Sequence, residues 1–324
     1  MTISPRFRLP LVVRTVLVGA AMMPLSPAHA QLRPVPRRAN QVPAGTHTFR
    51  HNGIARSYVV RAPDGLNRNS APVPVVLVLH GGGGNAANAE QMTGFTRLVE
   101  RERILVVYPE GTSQRPRIPL LTWNASHCCG HAMKTRVDDV GFINALLDTL
   151  SAAYPVDPAR VYVTGMSNGG MMSHRLGREL SQRVAAIAPV VGAIFGDEPA
   201  PAHPVSAIMI NGLLDKSVPS TGGLGGGRGA SQWDGTPTRP ALEQGSYWAR
   251  ANGCTATPVT QESGTDRVTR YECPANRRVE VHLLSDNGHA WPGGKAGSRM
   301  GDTPTTAMNA TDVIWTFFAS VRKP

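Results

Sequence analysis

The stretch Val161-Tyr162-Val163-Thr164-Gly165-Met166-Ser167-Asn168-Gly169-Gly170 constrains this chain more than any other. Four residues suited to a buried strand run into Gly-x-Ser-x-Gly, and a small-residue helix start follows. A serine hydroxyl is a poor nucleophile unless it is exposed, aimed at a base and close to donors for a developing oxyanion. A sharp turn between strand and helix meets those needs. It lifts Ser167 out at the end of a sheet and sets the N–H of Asn168 beside the reacting centre. The flanking glycines fit because a Cβ would clash where the turn is so tight. The pentapeptide spacing alone also arises by chance, as a glycine-rich turn with an incidental serine. The strand before it and the helix after it favour a nucleophile elbow.

The chain before the elbow reads as an exported protein entering an α/β core. Arg6, Arg8 and Arg14 give Met1 to Ala30 a positive start, Leu9 to Met23 is mostly apolar, and Ala28-His29-Ala30 has the form of a cleavage site. The apolar run, interrupted by Pro10 and Arg14, is too short for a comfortable membrane span. The expectation is a signal segment over 1–30, with the mature chain periplasmic or outside the cell and without stable membrane insertion. Residues 31–45 carry Pro34, Pro36, Arg37, Arg38 and Pro43 and read as an extended arm. A single catalytic domain is expected over 46–324. Formal charge is +11, but the arginines are scattered and no nucleic-acid module is visible.

Thr48 to His51 and Arg56 to Ala62 predict a hairpin around Asn52-Gly53. Val73 to Leu79 is an apolar strand running into His80-Gly81-Gly82-Gly83-Gly84. Such a loop lets backbone N–H groups approach a ligand, and Gly81 or Gly82 is the candidate second oxyanion donor. A phosphate-binding loop is excluded by the missing Gly-Lys-Ser/Thr ending. Glu90 to Arg101 suits a helix and Ile104 to Tyr108 a buried strand. An irregular segment from Thr112 to Arg136 contains Trp123 and His127-Cys128-Cys129-Gly130-His131. Adjacent cysteines cannot easily take two corners of a tetrahedron, so a vicinal disulfide or a pair of buried thiols is expected there rather than a metal. Asp138 or Asp139 is placed to cap the helix from Val140 to Ala153.

After the elbow, Gly170 to Leu180 reads as the helix behind the nucleophile, with strands at Val184 to Val191 and Val205 to Asn211. Asp215 stands just past the second of these, where an orienting carboxylate belongs; Asp197 and Asp234 are rivals in loops. Thr221 to Gly229 is dense in glycine and reads as a mobile loop or a flexible connection, with Trp233 after it. Thr238 to Asn252 suits a helix, and Arg267 to Cys273 and Val279 to Leu284 suit paired strands. Cys254 and Cys273 face a disulfide across a loop of about 20 residues, contributing about 3 kcal/mol. Ala310 to Val321 closes the chain as a helix. Of the 10 histidines, His289 follows the last strand and completes the order Ser, Asp, His. His80, His174 and His282 lie within other predicted elements.

His80-Gly81-Gly82-Gly83-Gly84, Trp123 with Cys128-Cys129-Gly130, Val137-Asp138-Asp139-Val140-Gly141-Phe142, Gly165-Met166-Ser167-Asn168-Gly169-Gly170 and Gly288-His289-Ala290-Trp291-Pro292-Gly293 together resemble the exported polyhydroxybutyrate depolymerase and feruloyl esterase family. The resemblance covers nearly all of the chain after the N-terminal arm. It implies an α/β-hydrolase fold with a mainly parallel sheet flanked by helices, and carboxylic-ester substrates. It also implies the triad Ser167, Asp215 and His289, with the Cys254–Cys273 bridge. One departure is Asn211-Gly212-Leu213-Leu214-Asp215, where relatives often have His-Gly before the acid.

The expected activity is a serine esterase working through an acyl-enzyme without metal or organic cofactor. Hydroxybutyrate oligomers or related hydroxyacyl esters are the first expectation, and feruloyl or acetyl esters of plant polysaccharide the second. Trp123, Trp233 and Trp291 are the candidate substrate contacts. A peptidase of related fold and a non-catalytic envelope-binding protein are the remaining alternatives.

Overall fold

The computed structural model describes residues 44–115, 120–255, 257–274, 276–299 and 301–323. The expected export segment and all but the end of the expected arm lie outside the described residues. Strands β1 (Gly45–His51) and β2 (Ile54–Arg61) pair antiparallel across Asn52 and Gly53, whose φ values are 47° and 78°. Positive φ at both central residues is the conformation that Asn-Gly accepts most readily, and its twist matches the strands.

The other strands are β3 (Val73–Leu79), β4 (Leu105–Pro109), β5 (Val156–Met166), β6 (Ala186–Val190), β7 (Ser206–Gly212), β8 (Val259–Ser263), β9 (Asp266–Tyr271) and β10 (Val279–Leu284). One sheet runs in the order β1-β2-β4-β3-β5-β6-β7-β10-β9-β8. From β4 to β10 the neighbours are parallel, while the β1–β2 and β8–β9 hairpins flank them antiparallel.

Helices cover both faces, as central strands buried on both sides require. They are α1 (Ala86–Thr93), α2 (Leu98–Glu102), α3 (Gly130–Lys134), α4 (Asp139–Ala153), α5 (Asn168–Glu179), α6 (Ala241–Asn252) and α7 (Ala310–Ala319). The two-residue period of a strand divides β3 between two cores. Val75, Leu77 and Leu79 join Phe142, Leu146, Met172, Leu176 and Trp248 on the face of α4, α5 and α6. Val76 and Val78 join Met92, Leu98, Ile314, Phe317 and Phe318 on the face of α1, α2 and α7. No described helix is long and apolar enough to cross a membrane.

One local expectation is corrected, and two segments gain detail. The helix expected over Glu90 to Arg101 is broken: Gly94, at φ 67°, ends α1, and a short 3-10 turn at Phe95–Arg97 leads into α2. Strand β8 has no counterpart in the sequence reading, because every residue in it is exposed and no buried face leaves a period-two pattern. The glycine-dense segment makes backbone contacts at two points. Gly223 exchanges backbone hydrogen bonds with Thr238, and Gly226 N–H donates to Ser217 O at 3.1 Å.

Candidate active site

Strand β5 delivers the chain to Ser167 as it leaves the sheet. Ser167 has φ 56° and ψ −121°, a conformation that a non-glycine residue holds only when its surroundings impose it. The imposition is visible on both sides. A Cβ on Gly165 would lie 2.7 Å from Gly169 and 2.8 Å from Leu79, and one on Gly169 would lie 2.5 Å from His80 O. Ser167 N–H donates to Val190 O at 2.9 Å, and Asn168 opens α5 behind it. Strand and helix therefore approach closely enough to force the turn.

The loop after β3 lies against this elbow. A Cβ on Gly81 would come within 3.7 Å of Ser167 Cβ, and one on Gly82 within 3.6 Å of Asn168 Cβ. Gly83 N–H donates to Leu121 O and Gly84 N–H to Gly81 O. His80 fastens the loop from below. Its Nε2 accepts from Gly111 N–H at 3.0 Å, so its proton sits on Nδ1, which donates to Gly81 O at 2.8 Å. Burial pushes this histidine down to about 4, so it stays neutral.

Asp215 follows β7, and His289 follows β10. Their ends are tied together, since Leu214 N–H donates to Asn287 O. His289 Nδ1 stands 2.7 Å from Asp215 Oδ2. Asp215 Oδ1 accepts from the N–H groups of Ser217 and Val218 at 2.7 and 2.8 Å. The carboxylate is almost fully buried, while the imidazole is 18% exposed. A carboxylate held by two amides and facing Nδ1 leaves the other ring nitrogen free to serve as a base. His289 N–H in turn donates to Asp302 Oδ2 at 2.6 Å.

Ser167 and His289 share the wall of a cavity of about 510 Å³, with Gly82, Asn168, Cys128, Cys129 and Trp233 among its lining. The same two residues also line a second hollow of about 380 Å³ beside Gly81, Met92 and Met166. The rivals named from the sequence lie elsewhere. Asp197 and Asp234 both bind His127, at 2.9 and 2.7 Å. His174 accepts from Trp248 Nε1 inside the core, and His282 faces Asp266.

Of the three candidate substrate tryptophans, only Trp233 is on the cavity wall. Trp123 and Trp291 are 0% and 1% exposed, which corrects the expectation that they meet substrate. Trp123 is a brace. Its indole N–H donates to His80 O at 3.1 Å, and its backbone is clasped by the Asn168 side chain. Trp291 donates to Thr311 Oγ1 and packs on Phe95.

Cys128 and Cys129 are joined as a vicinal disulfide on the cavity wall, and Cys254 is bonded to Cys273 with an S–S distance of 2.03 Å. Among the described residues, no group of three or more His, Cys, Asp or Glu could hold a metal ion. Asp138 caps α4 by accepting from Gly141 N–H at 2.9 Å. Asp139 does different work. It is buried against Arg56 at 2.6 Å and accepts from Asn124 N–H at 2.8 Å. Asn287 and Asp302, which hold the histidine loop, were not singled out from the sequence. Asp286-Asn287-Gly288 carries only a generic turn signal, and nothing local links position 302 to position 289.

The family model for esterase PHB depolymerase matches residues 56–220, which include the elbow and the candidate acid. The chain belongs to this family. NocK of Nocardia uniformis subsp. tsuyamanensis, a protein carrying an esterase's name, is 30% identical over 291 residues, covering 85% of this chain and 82% of that one. Feruloyl esterase B of Piromyces equi is 27% identical, covering 75% of this chain and 44% of that one. Poly(3-hydroxyalkanoate) depolymerase C of Paucimonas lemoignei is 26% identical, covering 64% and 47%. The chain thus spans less than half the length of these last two relatives. Acetyl xylan esterase from Aspergillus awamori superposes with a TM-score of 0.59 at 13% identity, over 86% of this chain and all of that one, and shares the α/β-hydrolase fold. This member of the esterase PHB depolymerase family is a carboxylic-ester hydrolase.

Proposed function

We propose that the chain is an exported serine esterase that cleaves short hydroxyacyl ester oligomers through an acyl-enzyme. The observation that carries the mechanism is the 2.7 Å contact between Asp215 and His289 Nδ1, on a histidine that shares its cavity with Ser167. In this reading His289 Nε2 takes the proton of Ser167 Oγ as the oxygen bonds to the ester carbonyl carbon. Asp215 holds the imidazole in place and stabilises its charged form. The N–H groups of Asn168 and of Gly81 or Gly82 receive the oxyanion. The tetrahedral intermediate then collapses. The alcohol leaves with the proton from His289, and a water repeats the steps to release the acid.

A chain-like ester is favoured by the two hollows that meet at Ser167 and His289, one for each side of a scissile bond. The relative named as a poly(3-hydroxyalkanoate) depolymerase supports the same substrate class. Relatives named as feruloyl esterases support esters of plant polysaccharide as the second reading. Export is supported by the character of residues 1–30 and by two disulfides, which persist in oxidising compartments.

The test is hydrolysis of nitrophenyl butyrate, methyl ferulate, a linear hydroxybutyrate trimer and a peptide amide, by the wild type and by Ser167→Ala. Loss of the serine is expected to lower kcat by at least about 10⁴-fold on every ester cleaved. Preference for the trimer over ferulate supports the hydroxyacyl reading, and the reverse order supports plant cell-wall esters. Turnover that survives Ser167→Ala would refute the mechanism.

A further inference from the structure

The cavity at Ser167 does not end at the vicinal disulfide. Leu120, Thr122 and Gln232 line both that cavity and an adjoining hollow of about 500 Å³. Gly130 lines the second hollow, and at φ +55° it lets the Gln232 side chain pack directly on its backbone, since a Cβ there would lie 2.4 Å from Gln232 Oε1. Helix α3 starts at the disulfide and carries His131 and Lys134 onto the wall of this hollow, which Arg115 also lines. At 1.5 Å per residue, Lys134 lies roughly 7 Å along the axis from Cys129.

The charge of this hollow is one-sided. Arg115, His131 and Lys134 line it, and no acidic residue does so among the described residues. Several arginines elsewhere are met by carboxylates, as Arg61 is by Glu90, Arg97 by Asp312 and Arg183 by Asp148. Among the described residues Arg115 and Lys134 have no ion-pair partner, and both are exposed. Asp138, which shares a neighbouring hollow with His131 and Thr135, is already engaged by His51, Asn52 and Gly141 N–H.

We propose that Arg115 and Lys134, with His131 beside them, form a subsite for a carboxylate carried on the leaving side of the ester. A linear hydroxyacid oligomer has this chemistry. Its free carboxylate belongs to the alcohol half of the scissile bond, whereas a methyl or nitrophenyl ester offers no charge there. The subsite rests on the esterase reading and deepens it. It makes soluble chain ends, rather than neutral interior segments, the preferred partners. Because both cations are solvated, the effect is modest and sensitive to salt.

The experiment compares kcat/KM for the hydroxybutyrate trimer as free acid and as its methyl ester, at pH 7.5. The ratio within each protein cancels any general change in activity. The wild type is expected to favour the free acid by about five-fold at 20 mM salt, shrinking below about two-fold at 1 M. Arg115→Gln/Lys134→Gln should bring the ratio to about one, and Arg115→Glu/Lys134→Glu should invert it. A wild-type ratio near one at low salt would overturn the proposal, as would a ratio that survives both double variants. Nitrophenyl butyrate, assayed with wild type and Ser167→Ala, separates the two readings. Absence of serine-dependent turnover there would overturn the esterase mechanism itself and the subsite with it.

Discussion

Replacing Arg56 by methionine should cost this fold about 3–5 kcal/mol at pH 7, because it strands a buried carboxylate. Arg56 and Asp139 are 1% and 0% exposed in their side chains, 2.6 Å apart. The guanidinium also lies 3.9 Å from the centroid of Phe142 and donates to Glu110 O at 2.9 Å. Methionine keeps the apolar contact and loses both polar ones. Burial pushes the Asp139 carboxyl up from its ordinary value, while Arg56 and the N–H of Asn124 pull it back. Without Arg56 the upward push is opposed only by the Asn124 N–H and the weaker pull of the Arg175 charge. The folded state then holds the proton more tightly than the unfolded chain, whose Asp titrates near 3.9. Stability of the variant should therefore rise as the pH falls through the raised folded value. Each unit of acidification recovers at most about 1.4 kcal/mol. Urea unfolding at pH 7 and pH 5 measures the difference, which should reach no more than about 2.7 kcal/mol. Arg56→Met/Asp139→Asn should be less destabilised than either single variant, since it leaves no buried charge and keeps an acceptor for Asn124 N–H. A pH-independent deficit, or a double variant as poor as the sum of the singles, would refute the argument.

Two further outcomes follow from contacts around the cleft. His127 bridges Asp234 and Asp197 with both ring nitrogens and meets the edge of Phe195, which in turn packs on Trp233. Burial lowers its affinity for a proton, but the hydrogen bonds to Asp234 and Asp197 outweigh that and raise its pKa above the ordinary 6.5. Its contribution is therefore full below about pH 6.5 and lost as the pH rises through the folded value. His127→Gln should cost under about 1 kcal/mol near pH 5.5, and less at pH 9, in thermal melts. A deficit that grows with pH would contradict the bridge. Cys254→Ser/Cys273→Ser opens a loop with sequence separation 19 and should lower unfolding free energy by about 3 kcal/mol. Its kcat on nitrophenyl butyrate should hold where the variant remains folded, and unchanged stability would argue against the bridge.

Much of the candidate site is legible in the chain because its signals are local. The elbow needs only a strand, two glycines and a serine in register, and each is a property of consecutive residues. Asn52-Gly53 specifies its hairpin for the same reason, since the backbone conformation it favours is the one the strands require. The tryptophans are different. Trp123, Trp233 and Trp291 carry the same chemistry, and nothing near them in sequence separates a core brace from a wall residue. Asp138 and Asp139 are also equivalent as helix caps until Arg56, over 80 positions away, takes one of them. Gly94 ends α1 in a left-handed conformation inside a stretch whose composition otherwise suits one helix. Strand β8 left no pattern because its faces are both in water.

The sequence by itself determined the fold class, the nucleophile Ser167 and the histidine after the last strand, His289, since buried β-branched strands and tight turns are encoded in short windows. It also marked Cys254 with Cys273 by their spacing. Only the tertiary structure decided which acid meets His289, because Asp215, Asp197 and Asp234 differ in where β7 and the loops carry them. Only it joined the basic wall of Arg115 and Lys134 to the cavity at Ser167. Charge and burial act through distances across space, and positions remote along the chain become neighbours only once the sheet and its two helical layers have closed.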